Sequence, residues 1–124
     1  MRMNEITFES RPPIDGYGEG GFRIGGLVHR GSVLLLPARM DGWDVAAISE
    51  MTPERCAPIL AAAADIDVLL IGTGAEIAHA PRPARAALEG AGIGVEAMST
   101  ASACRTFNVL LAEDRRVAAA LIAV

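Results

Sequence analysis

The sequence predicts a mixed α/β domain of three layers, β over β over α, with an antiparallel N-terminal half and a parallel βαβαβ C-terminal half. Three observations carry this. Glycine-punctuated apolar stretches fill the first third of the chain, continuous apolar runs alternate with helical periodicity after Thr52, and the links between those runs are short. Strand, helix, strand, helix, strand with short links implies parallel pairing through right-handed crossovers. Parallel strands need cover on both faces, and the N-terminal strands are the only material left to cover the second face or to extend the sheet. At 124 residues the chain fits a single domain, residues 1–124, with one core.

In the antiparallel half, Ile6-Thr7-Phe8 reads as a first short strand, Gly21 to His29 as a second, Ser32 to Leu36 as a third and Trp43-Asp44-Val45 as a fourth. Gly25-Gly26 reads as a bulge or close backbone approach inside the second strand, and Arg30-Gly31 as a hairpin turn before Ser32. Pro12-Pro13 marks a loop. Gly16 to Gly21 matches the dinucleotide-binding glycine pattern by letters only. A strand follows, where a pyrophosphate site needs a helix N-terminus, so these residues read as turn or bulge glycines.

In the parallel half, Thr52 is a good N-cap and Pro53 fits the first helical position. Cys56, Ile59, Leu60 and Ala63 then share one face of a helix that ends near Asp65. Asp67 to Ile71 is a buried strand ending at Gly72. A second helix occupies about Pro83 to Gly90, with Gly90 and Gly92 as stop signals, and Ile93 to Met98 is the next strand. Ser99 or Thr100 caps a third helix that runs to about Glu113, and Val117 to Ala123 forms the last strand.

Composition excludes several functions. The hydrophobic share is 52% and the aromatic share 4%, so Ala, Val, Leu and Ile build the interior. A net charge of −4 with no basic block repels a phosphate backbone, so no nucleic-acid partner is expected. All eleven basic residues are arginine. Schiff-base and pyridoxal chemistry and the phosphate loop of nucleotide hydrolases all need a lysine, and none is present. Arginine and alanine in place of lysine point to a GC-rich bacterial genome. The N-terminus lacks the apolar stretch of a signal peptide, so a cytoplasmic location is expected. The longest apolar run, Val117 to Val124, is far short of the roughly 20 residues that span a bilayer, so proximity to a membrane would be peripheral. Cys56 and Cys104 are isolated thiols, and neither a disulfide, a metal site nor a cofactor is expected.

The residues best placed to bind a ligand follow the first and second apolar runs of the parallel half. Gly72, Thr73, Gly74 and Glu76 lie at the carboxyl end of one strand, and Ser99 and Thr100 at that of another. Cys104 and Arg105 follow one turn into the helix, and the helix start offers N–H groups to an anion. No base adjoins Cys104 in sequence; His29 and His79 serve only if the fold brings one close, and no catalytic residue is assigned.

The order and content of five separated segments also carry a resemblance. They are Gly21-Phe22-Arg23-Ile24 with Gly31 to Pro37, Leu70 to Gly74, Gly92 to Glu96, Ala103 to Leu110, and Ala112 to Leu121. Together they resemble the small-domain family that includes mitochondrial complex I (NADH dehydrogenase) assembly factor 3, together with many bacterial and archaeal proteins. The resemblance implies a compact β/β/α domain and, for mitochondrial members, a role in assembling the respiratory NADH dehydrogenase through protein contacts at the inner membrane. Ser99 stands where an aspartate is usual in that family, Ser102 replaces an alanine and Phe107 a tyrosine. Losing that carboxylate and phenol weakens an enzymatic reading and leaves a binding role untouched. The leading expectation is a non-enzymatic binding or assembly module whose partners are proteins, a respiratory complex subunit among them. The alternative is a small-molecule or anion-binding protein using the strand-end residues.

Overall fold

The computed structural model describes residues 6–7 and 11–124. Its centre is a six-stranded sheet in the order β1-β6-β5-β9-β7-β8, built from β1 (Ile6–Thr7), β5 (Val33–Leu35), β6 (Arg39–Gly42), β7 (Val68–Gly72), β8 (Gly94–Met98) and β9 (Val117–Leu121). A second, three-stranded sheet joins β2 (Ile14–Gly18), β3 (Gly21–Ile24) and β4 (Leu27–Arg30). β7 pairs parallel with β8 and with β9, while β5 runs antiparallel to β9 and β6. The N-terminal strands therefore do both jobs: β1, β5 and β6 extend the central sheet, and β2 to β4 cover it.

Alternation along the central strands sorts the interior into two halves. Leu34, Leu69, Ile71, Val95, Ala118 and Ala120 face one side, packed with Cys56 and Ile59 of the first helical segment and with Ala84 and Leu88 of helix α2 (Arg82–Gly90). Val33, Leu35, Leu70, Val117, Ala119 and Leu121 face the other, against Phe22 and Ile24 of β3 and Ala103, Cys104 and Phe107 of helix α3 (Thr100–Ala112). The outer β layer is thus shared with α3. Three consecutive alanines in β9 let both layers approach the strand at the centre of the molecule.

Four local readings of the sequence are corrected. Gly25-Gly26 is not a bulge: with φ of 56° and 80° it is the two-residue turn joining β3 to β4, which needs positive φ at both central positions. Arg30-Gly31 is no hairpin turn, because β4 and β5 lie in different sheets and the segment carries the chain between them. Of the glycines read as turn or bulge residues, Gly16, Gly18 and Gly21 lie in strands, the first two in the unexpected β2, while Gly20 does make a turn with Glu19 (φ 78° and 52°) and a register shift falls between Ile14 and Gly16. Trp43 to Val45 is not a strand; its place is taken by β6, and Trp43 is fixed by its indole N–H donating to the Arg55 carbonyl at 2.9 Å. Phe8, expected in the first strand, lies outside the described residues.

The helix expected from Thr52 to Asp65 is broken into a 3-10 turn (Glu54–Cys56), α1 (Ala57–Ala61) and a second 3-10 turn (Ala63–Asp65). Pro58 explains the break, since its missing N–H and its ring interrupt an α-helix entering from Pro53. Thr52 still acts at the start, its hydroxyl accepting from Arg55 N–H at 3.2 Å.

Besides its apolar packing on α3, the small sheet is hydrogen-bonded to that helix through Asn108. Asn108 Oδ1 accepts from Ile14 N–H at 2.8 Å, and its Nδ2 donates to Ile14 C=O at 2.9 Å, so the amide pairs with the edge strand as another strand would. Asn108→Ala is expected to lower folding stability by about 1–3 kcal/mol, read from urea midpoints, because two strand-edge groups lose their partner.

Candidate functional site

β7 and β8 end side by side and their chains leave in different directions, β7 toward α2 on one face and β8 into α3 on the other. Such a point in a parallel sheet is where ligands enter. Gly72 is the last residue of β7, with Thr73, Gly74 and Glu76 after it and Ser99, Thr100, Cys104 and Arg105 after β8, and the fold brings the two turns into contact.

That contact is made of hydrogen bonds. Thr73 N–H donates to Met98 C=O at 2.8 Å, and Thr100 N–H to Gly74 C=O at 2.9 Å. Thr100 Oγ1 accepts from Gly74 N–H at 3.0 Å and donates to Ile122 C=O at 2.7 Å, bridging the ends of β7, β9 and α3 with one hydroxyl. Thr73 Oγ1 donates to Glu76 C=O at 2.6 Å and accepts from Ala78 N–H at 3.1 Å, folding the following turn over itself. Thr73 and Thr100 are buried. Gly72 is required by closeness: a Cβ there would stand 3.0 Å from Thr100 Cα and from Leu121 Cδ2.

The remaining candidates fall into two groups. Ser99 is the N-cap of α3, its Oγ accepting from Ser102 N–H at 3.3 Å, and Arg105 Nη2 donates to Ser102 Oγ at 3.3 Å on the exposed side of the helix. Arg105 therefore meets Ser102 and not Glu76, which is exposed. Cys104 faces the opposite way, into the interior with Phe107 and Leu121. Neither histidine adjoins it: His29 Nε2 meets Ser32 C=O at 3.0 Å, and His79 is exposed beside β8.

Burial pushes the Cys104 thiol up to about 11, against a smaller opposing effect of Arg105, and burial pushes Cys56 up to about 11 as well. A nucleophilic thiolate needs the reverse shift. The unfolded chain loses these protons first, so between about pH 9 and 11 it binds fewer protons than the folded chain and stability falls as pH rises. Urea midpoints should therefore drop across that window, and a Cys56→Ala/Cys104→Ala variant should show a flatter profile. Among the described residues no group of three or more His, Cys, Asp or Glu is arranged to hold a metal ion.

Comparison with known proteins places this geometry. Residues 14–122 match the family described as "Protein of unknown function (DUF498/DUF598)". The chain belongs to the DUF498/DUF598 family. An uncharacterised protein of Rhodobacter capsulatus is 45% identical, over 98% of this chain and 93% of its own. NADH dehydrogenase [ubiquinone] 1 alpha subcomplex assembly factor 3 of Danio rerio is 36% identical over 88% of this chain, which spans 63% of that protein's length. A crystal structure described as an outer membrane protein from Bartonella henselae is 47% identical, covers 94% of this chain and 98% of its own, and superimposes with a TM-score of 0.88. The resemblance read from five sequence segments is thus to relatives within one DUF498/DUF598 family.

Sequence reading missed the surfaces of this DUF498/DUF598 domain. Ile77 is 71% exposed, Val28 63% and Val109 56%, with Leu27 and Tyr17 close to half exposed. Beside Val28, the outer face of the small sheet forms a depression of about 510 Å³ over Gly16, Gly18 and Gly21, bordered by Arg23 and Arg30. Beside Ile77, a second depression of about 330 Å³ runs along β8. The alternation of β2 could have signalled the first surface, while β4, exposed or half-buried throughout, shows none. Ile77 carried no signal, because an apolar residue in a loop reads as buried until the loop is placed. No helix among the described residues is long and apolar enough to cross a membrane.

Proposed function

We propose that the chain is a binding or assembly module that acts through protein contacts in the cytoplasm, with subunits of a respiratory complex as its partners. One observation carries this reading. The polar groups of the turns after β7 and β8 bond to one another, while large apolar side chains stand in solvent at Ile77, Val28 and Val109. The relative named as an NADH dehydrogenase assembly factor supports the choice of partner. The test is a photo-crosslinking amino acid placed singly at Val28, Ile77 and Val109 in living cells. Respiratory NADH dehydrogenase subunits should be captured from at least one position, and capture from none of the three would count decisively against the proposal. The alternative, an anion held by Gly72, Thr73, Gly74, Glu76, Ser99, Thr100, Cys104 and Arg105, requires the two turns to separate first.

A further inference from the structure

The free edge of β8 has the chemistry of a strand acceptor. β8 is the outermost strand of the central sheet on its side. Gly94 N–H donates to Asp67 C=O at 3.0 Å and Met98 C=O accepts from Thr73 N–H at 2.8 Å, so Gly94, Glu96 and Met98 direct their backbone groups into the sheet. By the alternation of a parallel ladder, Val95 and Ala97 direct theirs outward. Val95 C=O receives Arg85 Nη2 at 3.4 Å, a long contact that leaves the edge open to a better donor.

The two sides of this edge differ. On one, Val95 and Ala97 pack toward α2 and the depression beside them is lined by Ile77 and Ala78. On the other stands the exposed carboxylate of Glu96, which forms no ion pair among the described residues. Arg85, which lines the same depression, is paired to Glu89 at 3.2 Å. A strand laid here meets apolar surface, then an anion, then apolar surface.

We propose that β8 binds an extended segment of a partner protein as an added antiparallel strand, through an apolar-basic-apolar triplet. The two apolar residues lie opposite Val95 and Ala97, over the depression beside Ile77, and exchange backbone hydrogen bonds with them; the basic residue lies opposite Glu96. A second copy of this chain is a poorer occupant. The self-pairing register that joins Val95 to Ala97 of the copy, and so satisfies the outward groups of both residues, sets Glu96 against Glu96 at about 4.5 Å between Cα atoms, where like charges repel. This inference rests on the reading of the chain as a protein-contact module and specifies one surface for it.

The test uses the full chain, ¹⁵N-labelled, and a capped synthetic peptide Thr-Val-Arg-Val-Thr. Titration should shift the amides of Val95, Ala97 and Ile77 with saturation, and Glu96→Arg, an exposed change that leaves the fold intact, should weaken binding by about five- to tenfold. N-methylation of the two valine amides should abolish binding while N-methylation of the arginine amide spares it. The opposite N-methyl pattern, or shifts centred on β2 to β4, would overturn the proposal. Shifts at Val95 and Ala97 that grow with protein concentration alone would assign the edge to a second copy and overturn it too. If the peptide fails to bind while crosslinks from Val28 still capture a partner, the edge assignment falls and the protein-contact reading survives; loss of every crosslink removes the latter independently.

Discussion

Thr100→Val is expected to lower folding stability by about 2–5 kcal/mol, since the change keeps the side chain's outline and removes only its hydroxyl. Two groups lose their partner at once: Ile122 C=O, held at 2.7 Å, and Gly74 N–H, held at 3.0 Å. Thr100 is fully buried, so water cannot replace the hydroxyl without opening the joint between β7, β9 and α3. Urea unfolding followed by circular dichroism measures the loss, and Thr100→Ser should recover most of it by restoring the donor and acceptor. A Thr100→Val protein as stable as the parent would mean that the turns are not held by this hydroxyl.

Gly21→Ala should cost a comparable amount, about 2–4 kcal/mol, by a steric route. A Cβ at Gly21 would lie 2.5 Å from His29 C=O oxygen and 3.3 Å from Arg30 Cα, both backbone atoms of the neighbouring strand β4. No rotamer change relieves such a contact; the strands must separate where Gly21 pairs with Arg30. The loss should be local, with Arg23 and Val28 amides exchanging faster while β7 and β9 keep their protection. Gly16→Ala in the same sheet is the control, because a Cβ there meets nothing within 4 Å.

These contrasts show what the amino-acid order makes legible and what it leaves to tertiary structure. From Asp67 onward the parallel half could be read nearly residue by residue, because its strands are continuous apolar runs and its helices carry local stop and cap signals such as Gly92 and Ser99. The antiparallel half was misread where strand and turn share one composition. Gly16, Gly18 and Gly21 sit in strands while Gly20, Gly25 and Gly26 make turns, and letters alone do not separate them. Pro58 was a legible break whose consequence was overlooked. At the candidate site, the meeting of the two turns followed from parallel topology, but their mutual hydrogen bonding did not. Whether Thr73 and Thr100 face a ligand or the backbone of the neighbouring turns depends on strand offset at the level of an ångström, which periodicity does not encode. The exchange of hydrogen bonds between Asn108 and Ile14 was equally hidden, since the two residues are 94 positions apart.

The turns after β7 and β8 are closed on one another as a structural joint, which leaves the proposed binding to the outer surfaces. Native-state hydrogen exchange at the Gly74 and Thr100 amides tests this closure directly. Both should exchange only through global unfolding, with the same opening free energy as the β7 interior and no response to added phosphate. Exchange through a low-energy local opening that phosphate then suppresses would contradict the closure and return the function to the strand ends.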